Sequence, residues 1–175
     1  MSRWSGAMAG LGSSLVVLLG GCGYRLVGRA TVLPERVKVI AVAPFENRTT
    51  RAEIEQRVTE SVARELSKRG RYRVVAESAG ADALLEGAVA DFRTNPVQFN
   101  DQGRATRVET VVILEATLRD LANDQILWSQ ADLIFREQYD VPATESEFFD
   151  RETIALDEIA RGAAIALVTS ILEGS

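Results

Sequence analysis

The sequence predicts an α+β domain in which two helices pack on one face of a four-stranded mixed β-sheet. Three observations carry this. Ile54, Val58, Val62 and Leu66 recur every four residues between two β-rich runs, the spacing of an amphipathic helix with one buried stripe. Thr106, Val108, Thr110, Val112, Leu114, Ala116 and Leu118 alternate with Arg107, Glu109, Glu115, Thr117 and Arg119, the period of a half-buried antiparallel strand. A second long helical pattern closes the chain.

The first strand is the β-rich run 37–43, ended by Pro44, which cannot continue a central ladder. Residues 45–50 read as a loop, with Thr50 and Glu53 spaced as a capping box for the first helix. Gly70 stops that helix, and residues 71–76 form the next extended segment. Links this short between strand, helix and strand imply a right-handed crossover joining parallel neighbours. Residues 84–93 make another strand, loosened by Gly87. The turn-rich stretch 94–103 should then project from the sheet. After the strand at 106–118, Asn123 and Asp124 provide a turn, and residues 125–138 return as a long hairpin partner. Thr144 and Glu147 offer a second capping box. The helix at 146–172 has a seam of Ile159, Ala163, Leu167 and Ile171, supported by Leu156, Ala160 and Val168. Its apolar run, 162–172, is shorter than the ~20 residues a membrane span needs.

The returning strand has an unusual pattern. If Leu127, Ala131, Leu133 and Phe135 face the core, then Ile126, Trp128 and Ile134 point away from it, beside Val111 and Ile113 of the preceding strand. An apolar strip would run along the open side of the sheet. Such a strip marks a partner surface, or else is covered by a loop or the N-terminal segment.

Upstream of the domain, Arg3 leads into an apolar stretch at 11–19, and Leu19, Gly20 and Gly21 precede Cys22, the one cysteine of the chain. This is the build of a lipoprotein signal: a cationic start, a hydrophobic run, small residues at the cut, then a cysteine to be acylated. Three chains of roughly 16 carbons, at ~0.8 kcal/mol per buried methylene, anchor a protein without a membrane-spanning helix. The expected organisation is a signal peptide at 1–21, a lipidated lead at 22–36 and a single domain at 37–175. Gly23 follows the cysteine where an aspartate would favour inner-membrane retention, so outer-membrane delivery is expected.

Composition narrows the function. The chain carries 20 Lys and Arg against 25 Asp and Glu, and removal of the signal takes away one more basic residue, Arg3. So acidic a chain is poorly suited to general nucleic-acid binding. It has no histidine, which removes the commonest general base and zinc ligand together. Phosphate-binding, dinucleotide and nucleophile-elbow motifs are missing as well. Pairs such as Glu145 and Glu147 are as frequent by chance as by design and read as a solvated face. No catalytic residue, metal site or cofactor is expected.

The run Cys22, Gly23, Tyr24, Arg25, Leu26, followed by Leu33, Pro34 and Val37 to Val42 and then by Pro44, Phe45, Glu46, Asn47, Arg48 and Thr49, resembles the mature start of the lipopolysaccharide-assembly lipoprotein family (LptE type). The order of elements is similar through residue 172. The resemblance implies a non-enzymatic protein of the cell outer membrane, on the periplasmic side or in a barrel lumen. Such a protein helps a large β-barrel translocon assemble, plugs it, and binds lipopolysaccharide. It further implies lipopolysaccharide contact by basic residues at the tip of the middle hairpin, here Arg104 with Arg107. A guanidinium can hold phosphate bidentately. The alternative role of these two arginines is to keep a strand face soluble. Before the last helix the family can carry further basic residues, whereas residues 137–150 of this chain are acidic, with Glu137, Asp140, Glu145, Glu147 and Asp150. A lipoprotein regulator docking onto a periplasmic enzyme such as a peptidoglycan synthase is the alternative function. The short spacing between Cys22 and the first strong strand speaks against it, because such regulators need a long disordered tether.

Overall fold

The computed structural model describes residues 33–141 and 145–173, with backbone alone for residues 145–152. The signal region, Cys22 and the expected cap at Thr144 lie outside the described residues. Eight elements follow in order: β1 (Val39–Val42), β2 (Glu46–Asn47), α1 (Ile54–Lys68), β3 (Arg73–Val75), β4 (Ala83–Phe99), β5 (Ala105–Asp120), β6 (Ile126–Asp140) and α2 (Glu145–Glu173).

The strands form one six-stranded mixed sheet in the order β3-β1-β4-β5-β6, with β2 pairing β4 off this path. The expected count of four is corrected to six. Arg73–Val75 enters as a short edge strand parallel to β1, and Glu46–Asn47 resumes pairing along β4 beyond Pro44. Pro44 interrupts the ladder without ending it, because Ala43 and Arg48 on either side still donate to Leu85 and Val89 of β4 at 3.0 Å. β1, β2 and β3 run parallel to their partners, while β4, β5 and β6 form an antiparallel meander.

Both helices cover one face of this sheet. The seam Ile54, Val58, Val62 and Leu66 of α1 is fully buried, as is that of α2 at Ile159, Ala163, Leu167 and Ile171. They meet Leu85 and Val89 of β4 and Val112, Leu114 and Leu118 of β5 in a single core. Arg57 of α1 pairs with Asp157 of α2, and Arg69 donates to Thr169 at 3.0 Å, so the two helices run parallel. Two glycines permit close approach. A Cβ on Gly87 would lie 2.5 Å from the Phe45 ring and 2.6 Å from the Glu115 carbonyl, so this strand glycine makes room for the buried Phe45. Gly162 does the same for Phe135 between α2 and β6.

The capping box expected at Thr50 and Glu53 does not form. Glu53 takes the N-cap position with φ 64° and no side-chain cap bond. The loop is organised by Asn47 instead. Its carbonyl oxygen accepts from the Thr49 N–H (2.9 Å) and hydroxyl (2.8 Å), while its amide donates to the Arg51 carbonyl and the Glu55 carboxylate, both at 2.7 Å.

The stretch 94–103 does project, but as paired strand rather than loop. β4 continues through Pro96 to Phe99 by two further register shifts against β5. Only the turn at 100–104 is free of the ladder. Asn100 holds it, accepting from the Gln102 and Arg104 N–H groups at 3.0 and 2.9 Å, and Gly103 supplies φ 74°.

The opposite pole carries the N-terminal side of the domain. Leu33 and Val37 are buried there. The Asp82 carboxylate accepts from the Lys38 and Val39 N–H groups at 2.8 Å each, and Arg36 donates to the buried Asp120. The two backbone bonds hold the Asp82 carboxyl below the usual aspartate range, and the Arg36 guanidinium does the same for Asp120.

Candidate functional site

Two surfaces carry the residues singled out from the sequence: the sheet face away from the helices, and the tip of the β4–β5 hairpin.

The register defines the outer face row by row. Leu84, Arg119 and Ile126 lie side by side, then Glu86, Thr117 and Ser129, then Ala88 and Glu115. Further along come Asp91, Ile113 and Ile134, then Arg93, Val111 and Arg136. The apolar residues therefore form two islands rather than one strip. Ile126 with Leu84 makes the first, and Val111, Ile113 and Ile134 make the second. Between them Thr117 and Ser129 share a hydrogen bond at 2.9 Å, and Arg48 reaches Glu115 at 2.6 Å and Glu46 at 3.0 Å. Ile126 is 59 % exposed and Ile134 46 %, whereas Val111 and Ile113 are half-buried.

Trp128 is not on this face, and its placement is corrected. It lies opposite Leu118, is only 9 % exposed, and belongs to the core. The cause is a bulge in β6. Leu114 pairs with Leu133 but Ala116 with Gln130, so β6 spends one extra residue there. An extra residue inverts the alternation of everything beyond it. Leu133 and Phe135 face the helices on one side of the bulge, and Trp128 and Gln130 on the other. Gln130 meets α2 through the Ser170 hydroxyl at 3.0 Å. A second shift, between Leu118 and Arg119, returns Ile126 to the outer face.

At the tip, Arg104 is exposed, and its backbone rather than its guanidinium is held by Asn100. Arg107 is also exposed and forms an ion pair with Asp140 across the strands, at 2.8 Å. Alternation along β5 alone showed neither this pairing nor the apolar company of Arg104. Phe99 (57 % exposed) and Val97 (46 %) stand on the β4 side of the same tip. Phe99 lies opposite Ala105, next to Arg104 in the chain.

Among the described residues no group of His, Cys, Asp and Glu side chains could hold a metal ion, and no helix is long and apolar enough to cross a membrane. The tip places an exposed guanidinium, a group able to hold phosphate bidentately, beside two exposed apolar side chains.

Comparison with known proteins addresses the whole domain. A family model described as Lipopolysaccharide-assembly (LptE) matches residues 37–171. Among solved structures, lipoprotein B from Nitrosomonas europaea is similar with a TM-score of 0.55 and 18% identity, over 86% of this chain and 90% of that one. The rare lipoprotein B from Shewanella oneidensis gives a TM-score of 0.52 at 13% identity, over 77% and 93%. The PelC dodecamer from Paraburkholderia phytofirmans gives 0.50 at 22% identity, over 82% and 93%. At these identities the likenesses concern the fold alone. No curated protein matches the chain significantly.

Proposed function

Since the chain belongs to the lipopolysaccharide-assembly (LptE) family, we propose that it is an outer-membrane lipoprotein that assembles with and plugs a large β-barrel translocon and assists lipopolysaccharide transport to the cell surface. The observation that carries this reading is the extent of the family match. Residues 37–171 take in every strand, the projecting hairpin, α1 and all but the last two residues of α2.

The site fits the role at three points. Acylation of Cys22 would hold the domain at the membrane with only ten residues between the anchor and the buried Leu33. The two apolar islands of the outer face, around Ile126 and around Val111, Ile113 and Ile134, offer the barrel wall apolar contact between charged rows. At the hairpin tip Arg104 would meet a lipopolysaccharide phosphate while Phe99 and Val97 lie against its acyl region. Arg107 would join only by sharing its charge between that phosphate and Asp140.

Photo-reactive groups in place of Ile126, Ile134 and Arg104, activated in intact outer membranes, test this reading. Capture of a single large outer-membrane β-barrel through the isoleucine positions, and of lipopolysaccharide through Arg104, is the expected result. Capture of a peptidoglycan synthase without any barrel would move the chain to the regulator class. Cys22→Ala should abolish acylation, and an acylated Cys22→Ala protein would end the lipoprotein reading.

A further inference from the structure

The densest basic segment of this acidic chain plays no part in the surfaces above. Lys68, Arg69, Arg71 and Arg73 fall within six residues that contain no carboxylate, at the end of α1 and the start of β3. All four are exposed. Lys38, also exposed, joins them through the backbone, because the Arg73 N–H donates to its carbonyl at 2.8 Å. Carboxylates from the neighbouring elements satisfy part of this charge. Glu65 pairs with Lys68 and Arg69, and Glu173 of α2 pairs with Arg69. Asp82 faces Arg36 and Arg73 but is already bonded to two backbone N–H groups. Glu35 and Glu77 are exposed nearby in the sequence. Lys38, Arg71 and Arg73 form no ion pair within 4.0 Å among the described residues.

Two further features lie beside these cations. A largely apolar groove of about 530 Å³ opens between α1 and the edge strand β3, lined by Val42, Ala63, Val74, Val75 and Ala76 together with Arg64 and Lys68, and with Glu60, which pairs with Arg64. The pole itself is the one where the N-terminal segment joins the domain, at Leu33 and Val37. The hairpin tip is at the far end of β4, 17 residues away, or roughly 55 Å at ~3.3 Å per residue.

We propose that this basic turn and its groove form a second membrane contact, docking the pole that follows the N-terminal segment onto anionic phospholipid headgroups. Cations around an apolar groove are the pattern of an interfacial surface, in which charge attracts the leaflet and the apolar part meets the acyl boundary. The tether supplies proximity, since the eleven residue-to-residue steps from Cys22 to Leu33 reach no further than about 40 Å. Each basic side chain near an anionic surface contributes a factor of about five, so three unpaired cations give roughly a hundredfold preference for anionic over neutral lipid. Contact at this pole would orient the hairpin tip away from the leaflet that holds the acyl chains. The inference uses the membrane attachment of the proposed function and needs neither barrel nor lipopolysaccharide.

The test is hydrogen exchange on the full acylated protein, reconstituted into vesicles of phosphatidylcholine alone or with about one third phosphatidylglycerol. Attachment to the neutral vesicles reads the anchor. Protection of the amides at 68–76 reads the docking. Phosphatidylglycerol should slow exchange there at least tenfold at low salt, and about 1 M salt, where the Debye length is about 3 Å, should remove the effect. Combined Lys38→Gln, Arg71→Gln and Arg73→Gln should abolish it, and Arg104→Gln should leave it intact. The wild-type salt and lipid dependence decides the matter even if the triple variant folds poorly. Exchange at 68–76 that ignores phosphatidylglycerol, or protection that moves to the hairpin tip, would overturn the proposal. Failure to attach to any vesicle would instead overturn the reading of Cys22 as an anchor.

Discussion

The Phe135 ring sits directly over Gly162, so close that a Cβ on the glycine would fall 2.2 Å from its Cζ. The ring of β6 thus packs against the bare backbone of α2. Alanine at this position favours the helix by about 1 kcal/mol, but the ring must be displaced, and overpacking of this kind costs about 1–3 kcal/mol. Gly162→Ala should therefore lower the urea midpoint. Combining it with Phe135→Leu should recover part of the loss, because the two positions share one contact.

The bulge between Gln130 and Leu133 makes a sharp prediction about two apolar residues on one strand. Trp128→Ala removes a core side chain and should cost about 3–5 kcal/mol in equilibrium unfolding. Ile134→Ala removes an exposed one and should cost less than about 1 kcal/mol. Equal losses would mean that the alternation is not inverted. A loss of barrel cross-linking without a loss of stability is the outcome expected of Ile134 alone.

Asp82 and Asp120 give the fold a predictable acid sensitivity. Each carboxyl ionises more readily in the folded chain than in the unfolded one: Asp82 chiefly through the Lys38 and Val39 N–H groups, Asp120 chiefly through Arg36. Their contribution is fully present above the unfolded aspartate value near pH 4 and is lost as pH falls through the lower folded value. Stability measured by denaturant should decline below about pH 4. Asp120→Asn should be less stable at pH 7 and show a shallower decline in acid.

Asn47 rather than Thr50 holds the loop before α1. Asn47→Ala should destabilise the protein by about 1 kcal/mol and speed exchange at the Thr49 amide, whose acceptor it removes. Thr50→Ala should stay within about 0.5 kcal/mol of the parent, as an exposed residue that caps nothing.

The elements legible in the sequence are those whose signal is local and repeated. The seams of α1 and α2 and the alternation of β5 are buried as their spacing predicts, because each repeats over three or more turns or pleats. The parallel placement of β1 and β3 also follows from the short links around α1. What escaped was set by pairing. β2 is two residues long and exists because β4 offers it a partner. The bulge that turns Trp128 inward is a property of the β5–β6 register, with no glycine or proline in β6 to announce it. For the same reason the predicted apolar surface was right for Ile126 and Ile134 as exposed residues, and wrong in including Trp128. Arg107 was recognisable as a charged strand position, but its engagement with Asp140, 33 residues away, was not.

The central place of β4 also bears on how the chain reaches this state. Its antiparallel partner β5 follows it at once through the turn at 100–104, and β6 then returns along β5 through the turn at 121–125, whereas the pairing of β4 with β1 joins residues 43 apart, Ile40 with Ala83. Local pairings close faster than distant ones. The β4–β5–β6 meander is thus expected to form first, leaving the 83–89 edge of β4 bare until β1 and β2 arrive. That edge carries Ala83, Leu85, Ala88 and Val89, all buried in the finished fold. An unprotected apolar edge is a template for pairing with another chain. The folding half-finished protein is therefore most vulnerable to aggregation along the same strand that later organises its sheet, and the crossover through α1 acts as the closing step that shields it.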